Sequence, residues 1–212
     1  SLHQADYTKG NRFYHIPSLS DMPLIRLFGN AVLSFITKLS SGYWNNFDPT
    51  NGYTAIQASL IPLLPPEKVS SDYFFESDML FRLNLLQAKV VDIPMSAKYS
   101  SESSNLMVRK VIPIFLYKNT QNLIKRLFYN YFLRDFSAAS IELISGFALA
   151  AFGFLFGAWE WYAHVQAGEI ASTGTVMVAV LPLVIGFQFL IAFLNFDLTN
   201  TPSLPIYPKL KK

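Results

Sequence analysis

The stretch that decides the fold is Ile170–Phe196, IASTGTVMVAVLPLVIGFQFLIAFLNF, which contains 27 consecutive uncharged residues. A helix needs about 20 mostly apolar residues to cross roughly 30 Å of hydrocarbon. Residues 175–196 include 14 Leu, Ile, Phe or Val side chains. These contribute about −4 to −8 kcal/mol to membrane insertion, which offsets Pro182 and Gln188. The stretch therefore predicts a transmembrane helix.

A second uncharged run, Leu143–Trp159 (LISGFALAAFGFLFGAW), lies 10 residues before the first. Its eight Leu, Ile and Phe side chains contribute about −2.5 to −5 kcal/mol. The run is long enough to span a bilayer if the helix begins near Phe136, with Glu142 at the headgroups. The alternative is a pair of buried core helices, which would need a larger soluble body around them. We expect a two-helix transmembrane hairpin over residues 136–197.

The basic residues predict the orientation of this hairpin. The connection 160–174 contains no Lys or Arg, whereas the outer flanks contain six: Lys125, Arg126, Arg134, Lys209, Lys211 and Lys212. By the positive-inside rule, both termini lie in the cytoplasm. Trp159, Trp161 and Tyr162 then form an aromatic belt at the opposite interface. The sequence thus predicts a multi-pass protein of the inner (cell) membrane, followed by a basic cytoplasmic tail over 198–212.

Composition excludes several classes of protein. Of the 212 residues, 51% are hydrophobic and 15% are charged, which is too apolar for a disordered chain. Cysteine is absent, so disulfides, a thiolate nucleophile and cysteine zinc sites are excluded. The three scattered histidines have no metal-ligand spacing. The net charge of +3 comes without a basic cluster in the first hundred residues, so we expect no nucleic-acid partner.

Residues 107–135 combine basic and apolar side chains in a pattern typical of an amphipathic helix. Such a helix can lie in the cytoplasmic membrane interface, where each Lys or Arg adds about 1 kcal/mol near anionic lipid. The alternative is an ordinary amphipathic helix docked on the soluble part. Proximity to the two spans favours the interface.

Residues 1–106 mix polar and apolar residues as in a soluble α/β protein. Apolar spacing predicts helices over 23–39 and 75–87 and a strand over 89–96. A short helix is expected over 54–63, ending at the prolines.

Three carboxylates in this part are candidates for chemistry. Asp48 lies in a turn-rich loop, where a carboxylate can meet a ligand, and the alternative is an Asx turn before Pro49. Glu76 and Asp78 stand in the first turn of a predicted helix, and the alternative is a charge pair that favours the helix dipole. Arg12 and Arg26 are either ligand-binding or surface charges. The sequence contains no nucleophile triad, Walker loop or dinucleotide fingerprint.

Five short motifs then follow one another in a familiar order. They are Lys9-Gly10-Asn11-Arg12-Phe13, Met22-Pro23-Leu24-Ile25-Arg26 with Gly29-Asn30, Asp48-Pro49-Thr50-Asn51-Gly52-Tyr53, Phe74-Phe75-Glu76-Ser77-Asp78-Met79-Leu80, and Ile93-Pro94-Met95 running to Tyr99, Glu102, Ser103 and Leu106. In this order and spacing the chain resembles family 2 glycosyltransferases of the polyprenyl-phosphate sugar synthase type. The resemblance extends over about a hundred residues, and bacterial members share the two-helix anchor.

The resemblance implies a fold and an activity. The fold would be α/β, the C-terminal half of a GT-A-like domain over 1–106, followed by the interfacial helix and the hairpin. The protein would transfer a sugar from a nucleotide-sugar to a polyprenyl phosphate on the cytoplasmic face. Members hold a divalent metal, Mg²⁺ or Mn²⁺, with an Asp-x-Asp motif in their first half. No Asp-x-Asp occurs in the 212 residues, so we expect a fragment whose metal ligands and nucleotide-sugar site lie outside this chain. A homo-oligomer is a further expected assembly.

The resemblance also assigns residue roles. Arg12 and Arg26 would hold the acceptor phosphate, for which a guanidinium is well suited. Asp48 would lie in the acceptor loop near the sugar, and Asp78 or Glu76 would be the acceptor-side catalytic carboxylate. The segment that closes over the site would contain Tyr99, Glu102 and Ser103.

Two other functions remain open. In one, the chain is a non-catalytic membrane-associated module that retains half of the glycosyltransferase fold for lipid binding or assembly. In the other, it is a processive synthase with a hydroxyl acceptor. The second is disfavoured because no Gln-x-x-Arg-Trp motif follows Asp78.

Overall fold

The computed structural model describes residues 4–14, 24–48, 51–95 and 108–210, with side chains described for all of these except 24–26 and 108–111. The chain forms two compact units, residues 1–130 together with 201–212, and residues 131–200. In the first unit the elements are β1 (Tyr7–Asn11), α1 (Leu24–Ser41), β2 (Thr54–Ile56), α2 (Phe75–Leu85), β3 (Val90–Pro94), α3 (Val108–Phe128) and the short α6 (Tyr207–Leu210). In the second they are α4 (Ala138–Ala167) and α5 (Thr173–Thr199).

A three-stranded sheet with β1 in the middle organises the first unit. β1 pairs antiparallel with β2, with Tyr7 opposite Ile56, and parallel with β3, with Tyr7 opposite Val90 and Asn11 opposite Pro94. Every residue of β1 is buried. The carboxyl ends of β1 and β3 therefore meet at one edge of the sheet.

The core of this unit packs beneath the sheet. It comprises Tyr7, Tyr43, Leu60, Leu80, Leu83, Ala88 and Val90. The C-terminal segment also packs here, because Ile206, Tyr207 and Leu210 contact this core. The carboxylate of Asp6 accepts hydrogen bonds from the backbone N–H groups of Ile206 and Tyr207 at 2.9 and 2.7 Å. The end of the chain is thus a docked segment, whereas the sequence predicted only a basic tail.

Helices α1 and α3 pack against each other through polar side chains. The Ser40 hydroxyl donates to Asn119 Oδ1 at 2.5 Å, and Arg126 Nη2 donates to the carbonyl of Leu39 at 2.9 Å. Gly42, just after α1, has a left-handed φ of 75°, and a Cβ there would lie 2.7 Å from Arg126 Nη1. Glycine is required at this turn by both its backbone and the buried guanidinium.

The second unit is a helical hairpin. α4 ends at Gly168, which has a left-handed φ of 69°, and α5 begins after the N-cap Ser172. The helices approach closely at small residues: a Cβ at Gly186 would lie 2.6 Å from the backbone N of Ala150. The Tyr131 hydroxyl donates to Asp197 Oδ1 at 2.5 Å. Small residues that bring backbones close are a common packing device in membrane helices.

Both hairpin helices are long and apolar enough to cross a membrane. Only 17% and 11% of their most apolar windows is buried, which disfavours the alternative of core helices. The aromatic residues expected at the far interface, Trp159, Trp161 and Tyr162, are exposed.

One expectation about the fold is corrected, and other predicted elements match observed ones. The described residues are mostly helical, 69%, and the sheet among them is a small one in the first unit, the part for which the sequence predicts an α/β fold. Residues 54–63 are not one helix, because Thr54–Ile56 pairs with β1 and only Ala58–Leu63 is helical, of the 3-10 type. Within the amphipathic segment 107–135, residues 108–134 form α3 and then a π-helical turn, Tyr129–Arg134, and α3 packs within the first unit. The predicted helices over 23–39 and 75–87 and the strand over 89–96 correspond to α1, α2 and β3.

Candidate functional site

The candidate site lies at the carboxyl ends of the parallel strands β1 and β3, the usual position of ligand sites in sheets with parallel strands. Arg12 follows β1 directly, in a 3-10 turn. Its Nε donates to Asp48 Oδ2 at 2.7 Å and its Nη2 to Asp48 Oδ1 at 2.5 Å. The structure thus brings two of the predicted site residues into a bidentate ion pair.

Asp48 is held firmly by its surroundings. It is 1% exposed, and its Oδ2 also accepts from the backbone N–H of Arg12 at 3.2 Å. Its φ is +59°, a left-handed conformation that Asp tolerates better than most residues. Burial and this backbone conformation fix the orientation of the Asp48 carboxylate. The carboxylate in turn orients the guanidinium of Arg12 through its two hydrogen bonds.

Lys9, in the middle of β1, is hydrogen-bonded to the loop that contains Asp48. Its side chain is buried, and Nζ donates to the carbonyls of Phe47 and, at 2.6 Å, of Asp48. Burial lowers the pKa of Lys9 below its ordinary value of 10.5, and the nearby carboxylates of Asp92 and Asp48 partly oppose this. The positive charge of Arg12 acts with burial, and Glu76 acts against it. The pKa of Lys9 therefore depends on four neighbouring charged residues as well as on burial.

Asp92 on β3 holds the loop that presents Asp48. Its Oδ2 accepts from Asn11 Nδ2 and from the backbone N–H of Phe47, both at 2.7 Å. Its Oδ1 accepts from Asn46 Nδ2 at 2.7 Å and lies 3.9 Å from Lys9 Nζ. One carboxylate thus ties β1, β3 and loop 46–48 together.

Glu76 and Asp78, two positions apart on α2, have different environments. The carboxylate of Asp78 is buried and accepts from Arg82 Nε at 2.9 Å, the Ser70 backbone N–H at 3.0 Å and Asn122 Nδ2 at 3.2 Å. Glu76 is half-buried and within electrostatic range of Tyr7 and Lys9. Among the described residues, the Glu76 side chain has no hydrogen bond or ion pair. Of the three predicted carboxylates, Glu76 is the one whose oxygens have no hydrogen bond to the described part of the chain.

The remaining predicted residues lie outside the described part. Tyr99, Glu102 and Ser103 fall in residues 96–107, and the side chain of Arg26 is not described although its backbone belongs to α1. Within the described ranges, no three His, Asp or Glu residues form a group that could hold a metal ion. The described residues therefore do not fit a metal centre.

Sequence reasoning missed Lys9, Asp92, Asn11 and Asn46 as parts of the site. The available signal was Asp92, a charged residue inside the strand predicted over 89–96, whereas Lys9 gave no such signal because β1 was not predicted as a strand. A charge at a strand position that must be buried needs a partner. Lys9 and Asp92 are in register on neighbouring parallel strands, so each supplies the other's partner.

Comparison with known proteins assigns no relative. No protein-family model, no curated protein and no solved structure matches the chain.

Proposed function

We propose that this chain is the acceptor-binding half of a membrane-anchored glycosyltransferase that transfers a sugar from a nucleotide-sugar to a polyprenyl phosphate on the cytoplasmic face. The observation that carries the proposal is the position of Arg12. Its guanidinium is oriented by a buried carboxylate at the carboxyl ends of two parallel strands, in a chain with two helices that can span a bilayer. A planar guanidinium binds phosphate oxygens well and stays charged at any physiological pH.

In the proposed reaction an oxygen of the lipid phosphate attacks the anomeric carbon of the sugar. The bond from that carbon to the nucleoside diphosphate breaks, and the diphosphate leaves with the electron pair. A phosphate acceptor is already anionic at neutral pH, so the site needs no strong general base. Arg12 binds and orients the phosphate, while Asp48 fixes the direction of Arg12. Glu76, whose oxygens have no hydrogen bond to the residues that the structure describes, accepts hydrogen bonds from sugar hydroxyls, and Asp78 supports the fold.

The acceptor explains why the site belongs on a membrane. A long isoprenoid stays in the bilayer, so its phosphate has to be met at the headgroup level. Helix α3 supports a location there: it buries three polar residues, Asn119, Asn122 and Arg126, and one apolar residue, Phe115, whereas Ile112, Ile124 and Phe128 are exposed. This polarity is the reverse of that of a surface helix in water.

The docked C-terminus supports the expected topology. Residues 201–210 belong to the first unit, and their backbone is bound by Asp6. After α5 the chain therefore re-enters the first unit, to which the residues before position 131 also belong. If α4 and α5 each cross the bilayer once, both termini lie on one side, and the six flanking Lys and Arg residues favour the cytoplasm.

The second candidate is the non-catalytic lipid-binding or assembly module. The Arg12–Asp48 pair favours it in one respect, because the carboxylate occupies two N–H groups that a phosphate would also use. The upstream reading frame separates the two candidates. An Asp-x-Asp after a strand within about 60 residues before Ser1 is the family layout and favours the enzyme, whereas a start codon directly before Ser1 favours the module.

Sugar transfer is the test of the proposed activity. The purified chain, alone and together with the upstream half, is incubated with polyprenyl phosphate, Mg²⁺ or Mn²⁺ and a panel of radiolabelled nucleotide-sugars. We expect label in the lipid extract only when the upstream half is present, and less label with Arg12→Ala. Absence of label under every condition would contradict the enzyme, and transfer by the chain alone would contradict the placement of the donor site.

A further inference from the structure

A small cavity lies between helix α1 and loop 46–48. Ser34 and Lys38, one helical turn apart on α1, line one side of it. Its other walls include Lys9 of β1, Leu80 of α2 and Asn46. The cavity has room for about one water molecule, so any ligand inside it consists of a single heavy atom.

Two buried side chains on this cavity have a polar atom without a partner. Ser34 is 1% exposed and Asn46 is 6% exposed. Among the described residues, neither Ser34 Oγ nor Asn46 Oδ1 takes part in a hydrogen bond. Buried polar atoms are normally paired, either with protein groups or with ordered water. Two such atoms around one cavity therefore point to a ligand that bonds to both.

The orientation of the Asn46 amide is fixed by its other end. Its Nδ2 donates to Asp92 Oδ1 at 2.7 Å. A flipped amide would place its oxygen against the carboxylate, and neither of those oxygens has a proton to donate. Asn46 Oδ1 is therefore the end of the amide that lies away from Asp92, and it requires a hydrogen-bond donor.

Lys9 has the opposite requirement, because one of its protons lacks an acceptor. The ammonium group has three N–H bonds, and it donates to the carbonyls of Phe47 and Asp48. Asp92 Oδ1 lies 3.9 Å from Nζ, which is too far for it to accept the third. Among the described residues, the third N–H of Lys9 therefore has no acceptor.

We propose that the cavity binds one water molecule, which donates to Asn46 Oδ1, accepts from Lys9 Nζ and bonds to the Ser34 hydroxyl. An anion would accept from Lys9 and Ser34 but has no proton for Asn46 Oδ1. A cation would be repelled by the ammonium groups of Lys9 and Lys38. Only a neutral molecule that both donates and accepts satisfies all three side chains, and about three partners are usual for a buried water.

This water joins α1 to the loop that carries Asp48. Asn46 lies two residues before Asp48, whose carboxylate orients the guanidinium of Arg12. The water is thus a positioning element of the candidate site. The inference goes beyond the proposed function, because it depends neither on a sugar nor on a lipid.

Radiolytic labelling of the full chain in nanodiscs tests for this water. A brief X-ray exposure converts a bound water into a hydroxyl radical, which oxidises the side chains around it, and tandem mass spectrometry locates the added oxygen. Leu80 lines the cavity and is 2% exposed, whereas Leu83, also on α2, is 0% exposed and does not line it. The two leucines are therefore a matched pair of buried side chains with the same intrinsic reactivity.

We expect about fivefold or more label at Leu80 than at Leu83, because only Leu80 lies beside the water site. Ser34→Ala enlarges the cavity but removes one hydrogen bond to the water, so the label at Leu80 should fall by up to about tenfold. Ser71→Ala, at an exposed serine away from the cavity, is the control and should leave the label unchanged.

Equal label at the two leucines of the wild type would overturn the proposal. Label at Leu80 that stays the same or rises in Ser34→Ala would also overturn it, because solvent that merely enters an open cavity gains from the added space and needs no hydrogen bond. Circular dichroism verifies that each variant is folded. If Ser34→Ala does not fold, the comparison of Leu80 with Leu83 in the wild type decides the question by itself.

Discussion

Arg12 and Asp48 form a bidentate ion pair in which Nε and Nη2 of the guanidinium donate to the two carboxylate oxygens at 2.7 and 2.5 Å. The carboxylate is fully buried, and the Arg12 side chain is 18% exposed. The pair therefore has one end in the interior and one end at the surface. This geometry suits a residue that holds a ligand from outside while its own orientation is fixed from inside.

The first prediction concerns the stability of this pair. Arg12→Ala leaves Asp48 buried with only the Arg12 backbone N–H as a remaining donor among those described, so we expect a loss of about 3–5 kcal/mol in the free energy of unfolding. The resemblance assigns Arg12 only to the acceptor phosphate, whereas its pairing with buried Asp48 also gives it a structural role. Chemical denaturation measures the loss. The double variant Arg12→Ala/Asp48→Ala is the control, and it should be less destabilised than Arg12→Ala. Additive losses would contradict the coupling.

The second prediction separates Glu76 from Asp78. Glu76→Gln should change the free energy of unfolding by no more than about 0.5 kcal/mol, because the side chain has no described partner. Asp78→Asn should cost about 3–5 kcal/mol, because it breaks a buried pair with Arg82. In the assay with the upstream half, Glu76→Gln should lower sugar transfer despite normal stability. Equal destabilisation by the two isosteric changes would show that their environments do not differ as described.

Much of the helical structure could be predicted from the sequence. α1, α2, α4 and α5 have strong apolar periodicity or long apolar runs, and such local patterns are the most reliable signal in a sequence. Strand β1 was not predicted, because its five residues include a charged Lys9 and a glycine, a composition that favours loops. Its strand conformation depends on pairing with β2 and β3, which are distant in sequence.

The site could be predicted only in part. Local motifs were sufficient to select Arg12, Asp48 and Glu76, but not to show that Asp48 holds Arg12, since 36 residues separate them. The periodicity of α1 predicted a helix correctly and gave no sign of which medium its apolar side faces. A stripe that faces the core and a stripe that faces outward have the same spacing, so only the burial of Ser34 and Thr37 and the exposure of Phe28 distinguish them.

A third prediction concerns alkaline pH. Burial raises the pKa of Tyr7 from 10.0 to about 12, with a smaller opposing effect of its hydrogen bond to Thr54. Between pH 10 and 12 the unfolded chain loses this proton while the folded chain keeps it, so stability falls as pH rises. Tyr7 should account for ~2–3 kcal/mol of that fall. Denaturation of wild type and Tyr7→Phe at pH 9 to 12 measures the difference. Tyr53→Phe is the matched control, and its exposed side chain should leave the wild-type pH profile unchanged. Parallel profiles for Tyr7→Phe and wild type would exclude the effect.

The fourth prediction concerns the docked C-terminus. Asp6→Ala removes the acceptor for the backbone N–H groups of Lys89, Ile206 and Tyr207. A hydrogen bond to a charged group contributes about 1.5–3 kcal/mol, so residues 201–210 should detach and become sensitive to protease. Limited proteolysis with mass spectrometry locates the cut. Asp135→Ala, at an exposed carboxylate, is the control and should leave the cleavage pattern of the wild type. An unchanged pattern for Asp6→Ala would mean that apolar contacts alone hold the segment.

The central claim is that this chain binds a polyprenyl phosphate through Arg12, and equilibrium binding in nanodiscs tests it most directly. The measurement compares radiolabelled polyprenyl phosphate with the corresponding polyprenol, which has the same isoprenoid and no phosphate. We predict that the wild type binds the phosphate form about ten- to a hundredfold more tightly than the alcohol, as a charge-assisted contact provides. This preference should be lost in the Arg12→Ala/Asp48→Ala variant, which leaves no buried carboxylate unpaired. Equal affinity of the wild type for the phosphate and the alcohol would contradict the account.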